Sequence, residues 1–208
     1  KGAKGITCFL VERGDGVKTS PLKGKLGLRA ADTGMVFLDG VRVPKDRVLG
    51  KEGEGFRIAL STLDTGRISL AAGAVGLMQR ALDLSLAYAG ERKQFGKPIA
   101  QFQLVQEHLA AMKLDPEAAR LLTYRAAWKK VKGEPYTLEA SLAKLFASEA
   151  ANRVAYRAIQ VHGGYGFFEE YEVARLYRDA RILTLYEGTS EVQKLIIGAH
   201  LTGVRAFA

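Results

Sequence analysis

Residues 137–166 read TLEASLAKLFASEAANRVAYRAIQVHGGYG and carry the clearest structural signal in the chain. Apolar side chains recur there at helical spacing, which predicts a helix over residues 137–161 with one buried stripe. The stripe consists of Leu138, Leu142, Leu145, Phe146, Ala150, Val154, Ala158 and Val161. His162–Gly166 ends the helix, since paired glycines after a helix typically form its C-cap and can also let a ligand approach the backbone.

Helical patterns continue on both sides of this segment. We predict further helices over residues 55–89, 102–131 and 171–183, and a last helix that begins near Ser190. Pro116 lies inside the second of these and predicts a kink or a break, because proline has no backbone N–H. Ser190 with Gln193 fits a capping box at the start of the last helix. Long helices with short connections are typical of a bundle.

Residues 1–52 have a different texture, typical of β-structure. Candidate strands are Ile6–Val11, Met35–Leu38 and Val41–Val43. Three or four short strands cannot close a sheet around a protected core. The sequence therefore predicts an α+β, mostly α protein, with the end of a β domain over 1–52 and a helical bundle over 53–208. We expect the remainder of that β domain to precede residue 1.

The composition is that of a folded globular chain. Its 208 residues are 48% hydrophobic and 25% charged, with a net charge of +9. A single cysteine, Cys8, excludes an internal disulfide framework and a cysteine metal cluster, and three scattered histidines predict no metal site. The basic charge allows nucleic acid, a membrane surface or a phosphate-rich cofactor as partner, or simply a basic surface. No apolar run is long enough for a membrane span.

Two loops offer chemistry. Glu187, within Tyr186–Glu191, precedes a predicted helix, where a carboxylate stabilises the helix dipole or, if partly buried, acts as a general base. Arg92, within Arg92–Gly96, would bind a phosphate in fork geometry or belong to a solvated loop. The glycine-rich run Gly50–Gly55 lacks the Lys-Ser or Lys-Thr ending of a phosphate loop and fits a strand-to-helix connection.

Read in order, the motifs form a specific set. They are Lys25–Arg29, Val41–Pro44, Leu49–Gly50, Gly53–Phe56, Leu63–Arg67, Arg92–Ile99, Phe102–Gln103, Gln160–Gly166, Arg178–Ala180 and Tyr186–Glu191. This series resembles the acyl-CoA dehydrogenases over essentially the whole chain. The family's fold has an N-terminal helical domain, a middle β domain and a C-terminal four-helix-type bundle. The resemblance implies that this chain holds the end of the β domain and the bundle, without the N-terminal helical domain.

The resemblance also implies an activity, the FAD-dependent α,β-dehydrogenation of acyl-CoA to trans-2-enoyl-CoA. Glu187 matches the family's base, which takes the α-proton while hydride passes from the β-carbon to flavin N5. The backbone N–H of this Glu and a flavin ribityl hydroxyl polarise the thioester carbonyl. Isovaleryl and long-chain members carry their base at the position of Gly66, so this chain resembles short- and medium-chain members, with the glutaryl type still open.

Further residues match positions that contact cofactor or substrate in the family. Arg92 and Phe95 match contacts to a neighbouring subunit's flavin, and Gln160, Gly163 and Gly164 match contacts to that neighbour's dinucleotide. Gln103, Thr189 and Glu191 match other flavin-side positions, although some members carry Gln in place of Glu191. Asp64, Arg67 and Gly188 match substrate-side positions. The resemblance implies a homo-oligomer, usually a tetramer made of two dimers, with electron-transfer flavoprotein as the electron acceptor.

Three alternatives stay open at the level of sequence. An acyl-CoA oxidase of the same fold would let oxygen reach the reduced flavin. A non-catalytic relative that binds nucleic acid would account for the charge of +9. A purely structural bundle would leave the loop motifs unexplained. We expect residues 1–208 alone to bind FAD weakly and to lack turnover, and we expect a cytoplasmic location in a bacterium or a mitochondrial matrix location in a eukaryote.

Overall fold

Five α-helices make up most of the chain. A computed structural model describes residues 2–14 and 16–205. The helices are α1 (Gly55–Glu91), α2 (Gln103–Val131), α3 (Thr137–His162), α4 (Glu172–Ala180) and α5 (Ser190–Thr202). Short 3-10 turns cover Gly2–Gly5, Lys45–Arg47, Ile99–Gln101, Gly163–Phe167 and Arg181–Thr184. This architecture confirms the predicted fold class, α+β and mostly α with a C-terminal helical bundle.

The chain divides after Leu63 into two compact units. The first holds four short strands, β1 (Cys8–Phe9), β2 (Val17–Pro21), β3 (Gly34–Leu38) and β4 (Val48–Leu49), paired antiparallel as β1 with β4 and β2 with β3. The predicted strand Val41–Val43 is wrong, because β3 pairs with the more polar β2 and Gly40 turns the chain away at φ +60°. In the second unit, β5 (Lys93–Gln94) and β6 (Lys97–Pro98) form a small hairpin.

Small side chains form the core of the bundle. Helix α3 packs against α2, α4 and α5, and most of its fully buried positions are alanines. Of the predicted stripe, Ala150, Val154, Ala158 and Val161 are buried, whereas Leu138, Leu142, Leu145 and Phe146 are only half-buried. Alanines allow neighbouring helix axes to approach closely, which explains why the leucines are displaced to the margins of the core.

The predicted break at Pro116 is wrong, because α2 runs without interruption from Gln103 to Val131. Pro116 is buried on the same face of α2 as Met112, Ala119, Thr123 and Ala126. Its ring therefore fills an apolar position of the core. The packing of a 29-residue helix outweighs the single backbone hydrogen bond that proline removes.

The start of α5 differs from the predicted capping box. Thr189 is the N-cap, and its hydroxyl accepts the backbone N–H of Val192 at 3.3 Å. The hydroxyl of Ser190 donates instead to Glu149 at 2.5 Å, and the side chain of Gln193 turns towards the preceding loop. In the described part of the chain, no helix combines the length and apolar character needed to cross a membrane.

Candidate functional site

The turn between α4 and α5 places Glu187 in a rarely used backbone conformation. Glu187 has φ +58°, and the next residue, Gly188, has φ +88°. Glycine adopts positive φ freely, but a glutamate there is strained and persists only where its surroundings impose the conformation.

Three buried side chains from three helices hold the two carbonyls of the turn. Arg67 of α1 donates from Nε to the Glu187 carbonyl at 3.2 Å. Lys144 of α3 donates from Nζ to the Gly188 carbonyl at 2.8 Å. The amide of Gln193 on α5 lies 3.1 Å from each of these carbonyls. Two of the three donors are cationic, and charge-assisted hydrogen bonds are about twice as strong as neutral ones.

The carboxylate of Glu187 lies against the backbone of α1 at Gly66. A Cβ at Gly66 would be 2.5 Å from Oε2 and 2.9 Å from Oε1 of Glu187. The carboxylate thus fits only because position 66 has no side chain. Oε2 is buried and has no hydrogen-bond partner in the described chain. A carboxylate oxygen in that state is available to accept a proton from a bound molecule.

Asp64 and Arg67 form an ion pair at the site. Arg67, only 4% exposed, pairs with Oδ1 of Asp64 at 2.7 Å. The hydroxyl of Thr137 donates to the other oxygen of Asp64 at 2.6 Å, which ties α1 to α3. The structure therefore brings Asp64, Arg67, Gly188 and Glu187 together, with the guanidinium of Arg67 directed at the turn. Their predicted contact with substrate stays a prediction.

Lys144 and Gln193 are functional candidates that the sequence analysis missed. Both side chains are fully buried, and Lys144 shares the buried face of α3 with Ala140 and Ser148. Burial, and secondly the charge of Arg67, lower the pKa of Lys144 to about 8, although nearby glutamates act in the opposite direction. The sequence signal for Lys144 was a lysine at a position where the helical pattern predicts a buried side chain.

Thr189 and Glu191 follow directly after the turn. The hydroxyl of Thr189 is half-buried and caps α5, while the side chain of Glu191 is exposed. Hydrogen bonds from its own backbone N–H and from the Thr189 hydroxyl hold the pKa of the Glu191 carboxyl below its usual value. The two residues lie at the α5 end of the same turn, and their predicted contact with flavin stays a prediction.

A second candidate site is a cleft of about 460 Å³ between the end of α1 and the end of α3. Arg92 lines this cleft, with its guanidinium 5.4 Å from the ring centre of Tyr165 and no carboxylate partner among residues 2–14 and 16–205. Gly163 and Gly164 line it too, and a Cβ on either would meet open space. A free guanidinium, exposed glycine backbone and an aromatic face fit part of an anionic dinucleotide.

His162 closes the inner wall of this cleft. Its ring stacks on Tyr88 with centroids 4.3 Å apart, and its Nδ1–H donates to the carbonyl of Ala158 at 2.8 Å. Burial lowers the pKa of His162, and the hydrogen bond to Ala158 offsets this only in part. The ring therefore serves as a neutral stacking surface near neutral pH.

Three predicted cofactor residues do not line this cleft. Phe95 is 91% exposed, with φ +52°, and contacts Phe102 edge-to-face. Gln103, the first residue of α2, and Gln160, near the end of α3, are exposed as well. Their predicted contacts with a neighbouring subunit's cofactor stay predictions.

Other parts of the described chain offer no competing chemistry. A larger hollow of about 720 Å³ is lined by the loop Pro21–Thr33 and contains none of the predicted site residues. The ammonium of Lys25 closes this loop by donating to Thr33 at 3.0 Å and to the carbonyl of Ala31. Among residues 2–14 and 16–205, no group of three His, Cys, Asp or Glu side chains is arranged to hold a metal ion.

Residues 53–202 match a family described as acyl-CoA dehydrogenase, C-terminal domain. The short-chain specific acyl-CoA dehydrogenase of Bos taurus mitochondria is 48% identical over 199 residues, which are 95% of this chain and 48% of that protein. A 3-(aryl)acrylate reductase of Clostridium sporogenes is 46% identical over 202 residues, 97% of this chain and 54% of that protein.

Among solved structures, the butyryl-CoA dehydrogenase of Megasphaera elsdenii superimposes with a TM-score of 0.95 at 46% sequence identity. The superposition covers 97% of this chain and 53% of that structure. The chain thus spans about half the length of the curated relatives that it matches.

Proposed function

Because this chain belongs to the acyl-CoA dehydrogenase family, we propose that the protein containing it catalyses the α,β-dehydrogenation of acyl-CoA thioesters to trans-2-enoyl-CoA. One observation carries the proposal: the Glu187 carboxylate lies over Gly66 with a buried oxygen that has no hydrogen-bond partner in the described chain. The neighbouring turn is fixed by Arg67, Lys144 and Gln193. A fixed, unpartnered carboxylate is what removal of a weakly acidic α-proton requires.

In this proposal Glu187 has two functions. Its carboxylate takes the α-proton of the thioester. Its backbone N–H donates to no group in the described chain, so it is available to the thioester carbonyl oxygen, on which negative charge develops as the proton leaves.

Bound FAD would supply the acceptor for the hydride that leaves the β-carbon. Arg92, Gly163 and Gly164 would hold part of a neighbouring subunit's dinucleotide in the 460 Å³ cleft, where charge, open backbone and aromatic faces fit it. Phe95 and Gln160 would contact that neighbour's cofactor from exposed positions, and Gln103 would contact the flavin side. Thr189 and Glu191 would contact the subunit's own flavin from the start of α5. The assembly would be a tetramer made of two dimers, in which one subunit completes the site of another.

We further propose a short, straight-chain acyl-CoA as substrate and electron-transfer flavoprotein as the electron acceptor. Gly66 has no side chain, and the carboxylate of Glu187 occupies the space where one would begin, so α1 carries no base at this position. The chain therefore lacks the base location that the resemblance implies for isovaleryl and long-chain members. The relatives named short-chain acyl-CoA dehydrogenase and butyryl-CoA dehydrogenase are 46–48% identical to this chain. Asp64, Arg67 and Gly188 would line the substrate side.

The test is an anaerobic titration of the full-length protein with butyryl-, octanoyl- and palmitoyl-CoA, followed at the visible band of the flavin. We expect butyryl-CoA to bleach the flavin most completely. A flavin-loaded protein that none of the three thioesters bleaches would contradict the proposed reaction. Rapid reoxidation by air with formation of peroxide would identify an oxidase instead.

Glu187→Gln tests the base itself. We expect this variant to retain flavin and to bind butyryl-CoA, but to lose about 10²- to 10⁴-fold in the rate constant of flavin reduction, the usual contribution of a general base. Stopped-flow absorbance measures that rate constant. Glu134→Gln, an exposed glutamate in the loop before α3, is the matched control and should match the wild type. Reduction of Glu187→Gln at the wild-type rate would place the base elsewhere.

A second candidate is the reverse reaction, the reduction of a 2-enoyl substrate. The relative named 3-(aryl)acrylate reductase, 46% identical, favours it. The same carboxylate would then return a proton to the α-carbon, by microscopic reversibility. This direction is measured by mixing chemically reduced flavoprotein with crotonyl-CoA or an arylacrylyl thioester. If the flavin is reoxidised faster than butyryl-CoA bleaches it at the same substrate concentration, the reductase is favoured.

A further inference from the structure

Lys144 is a buried cation that no carboxylate neutralises directly. Its side chain is fully buried in the middle of α3, and its Nζ donates to the Gly188 carbonyl at 2.8 Å. Among residues 2–14 and 16–205 it forms no ion pair. Burying an unpaired charge is costly, and apolar residues of similar volume are often more stable in such positions. Stability of the bundle alone therefore gives no reason for a lysine here.

The other cation at this turn has a different environment. Arg67 is neutralised by Asp64 at 2.7 Å, so the pair contributes little net charge. The charged groups that act on Lys144 are Arg67 from α1, Glu149 on α3 itself, and Glu187 and Glu191 from the turn and α5. The positive charge of Lys144 is therefore directed towards the turn that carries Glu187.

We propose that Lys144 is a positioning residue for the base: its ammonium holds the Gly188 carbonyl, and through this carbonyl it fixes the direction of the Glu187 carboxylate. The proposal rests on the function proposed above for Glu187. Two consecutive residues of positive φ make this turn easy to rearrange unless its carbonyls are held. Arg67 holds the first carbonyl from α1, Lys144 holds the second from α3, and the amide of Gln193 donates to both.

Burial lowers the pKa of Lys144 to about 8, which agrees with a buried ammonium that faces little compensating charge.

The experiment compares Lys144→Met with the wild type in the full-length protein. We expect the rate constant of flavin reduction by butyryl-CoA to fall by about 10- to 100-fold, because a displaced base loses alignment with the α-carbon. Flavin content and the dissociation constant for butyryl-CoA should stay within about twofold of the wild type, so that the loss appears in the rate constant alone.

Lys129→Met is the matched control. Lys129 is also a lysine in an interhelical contact, 2.7 Å from the buried Glu139, but it lies on α2 and does not contact the turn. This variant should lower the thermal midpoint without changing the rate constant of flavin reduction. The comparison separates loss of stability from loss of alignment.

Each result has one meaning. Failure of wild-type flavoprotein to bleach would overturn the proposed function, whatever Lys144 does. Bleaching by the wild type together with a wild-type rate constant in Lys144→Met would overturn the positioning role alone, even if the thermal midpoint falls. If Lys144→Met does not fold, Lys144→Gln replaces it, and failure of both to fold would also overturn the proposal by assigning Lys144 to stability.

Discussion

At the scale of single residues, a glycine and a glutamate share one small volume. The Glu187 carboxylate occupies the space where any side chain at position 66 would begin. Glu187 reaches that space through a backbone conformation that glutamate rarely adopts. Both the missing side chain on α1 and the left-handed turn are therefore needed to place the carboxylate.

Gly66→Ala should displace the base without weakening the helix. The new Cβ would lie 2.5 Å from Oε2 of Glu187, so the carboxylate must move. We expect a loss of about 10- to 100-fold in the rate constant of flavin reduction. In a helix interior, alanine is more favourable than glycine by about 1 kcal/mol. We therefore expect the rate constant to fall without a large fall in the thermal midpoint.

Gly73→Ala on the same helix is the control, since a Cβ there meets nothing within 4 Å. It should raise the thermal midpoint slightly and leave flavin reduction unchanged. Equal rate constants for Gly66→Ala and the wild type would show that the carboxylate does not act from this position.

Lys144 should make stability depend on pH in a defined window. Its pKa is about 8 in the folded protein and 10.5 as the reference value for an unfolded chain. Between these values the unfolded chain keeps a proton that the folded protein has released, so the free energy of unfolding rises with pH. Denaturant titrations from pH 7 to 10.5 should show the wild type gaining stability relative to Lys144→Met. Parallel curves for the two proteins would contradict a lowered pKa.

At the scale of elements, the helices follow from local patterns, whereas their details depend on their neighbours. Helical spacing and glycine or proline breakers predict α1, α2 and α3 closely, because both signals are local in sequence. Pro116 inside α2 and the Thr189 cap of α5 depend on which face is buried, which spacing alone does not reveal. The pairing of β2 with β3 joins residues far apart in sequence, so spacing alone does not reveal it either.

Glu139 should be important for the docking of α2 on α3. This carboxylate is 4% exposed and lies 2.7 Å from Lys129 and 3.5 Å from Arg125. Burial raises its pKa, but the hydrogen bond and charge of Lys129, with Arg125, outweigh burial and hold it below the usual value. Glu139→Gln should therefore lower the free energy of unfolding at pH 7 by about 1–3 kcal/mol, the range for a hydrogen bond to a charged group.

The stability that Glu139 contributes should be present above its unfolded pKa and be lost as pH falls through its folded pKa. Thermal unfolding of Glu139→Gln and the wild type at pH 7 and pH 3 should show the difference shrinking in acid. The exposed Glu134→Gln serves as control. A constant difference at both pH values would mean that the ionised pair is not the source of the stability.

At the scale of the whole molecule, the sequence pointed to the groups expected to touch ligands and missed those that hold them. Glu187, Arg92 and the glycine pair after α3 were named through ordered motifs in loops. Lys144 and Gln193 act on backbone carbonyls from inside helices, so only the folded arrangement connects them to the turn. Phe95 is 91% exposed, which is compatible with its predicted contact to a second subunit.

Arg92→Ala should weaken cofactor retention and subunit association together. If Arg92 serves a neighbouring subunit's dinucleotide, its loss removes a phosphate contact and a contact between subunits at once. Flavin content after gel filtration and mass by light scattering measure the two effects. Lys93→Ala, at the adjacent exposed position, is the control. Loss of flavin from an oligomer of unchanged stability would contradict the cross-subunit role.

The shared volume at Gly66 and Glu187 also constrains how this protein can evolve or be engineered. A side chain introduced at position 66 would begin 2.5 Å from Oε2 of Glu187, so the carboxylate of Glu187 would have to move. The effects of substitutions at these two positions are therefore coupled. A directed-evolution library meant to move the carboxylate from position 187 to position 66 should randomise both codons at once.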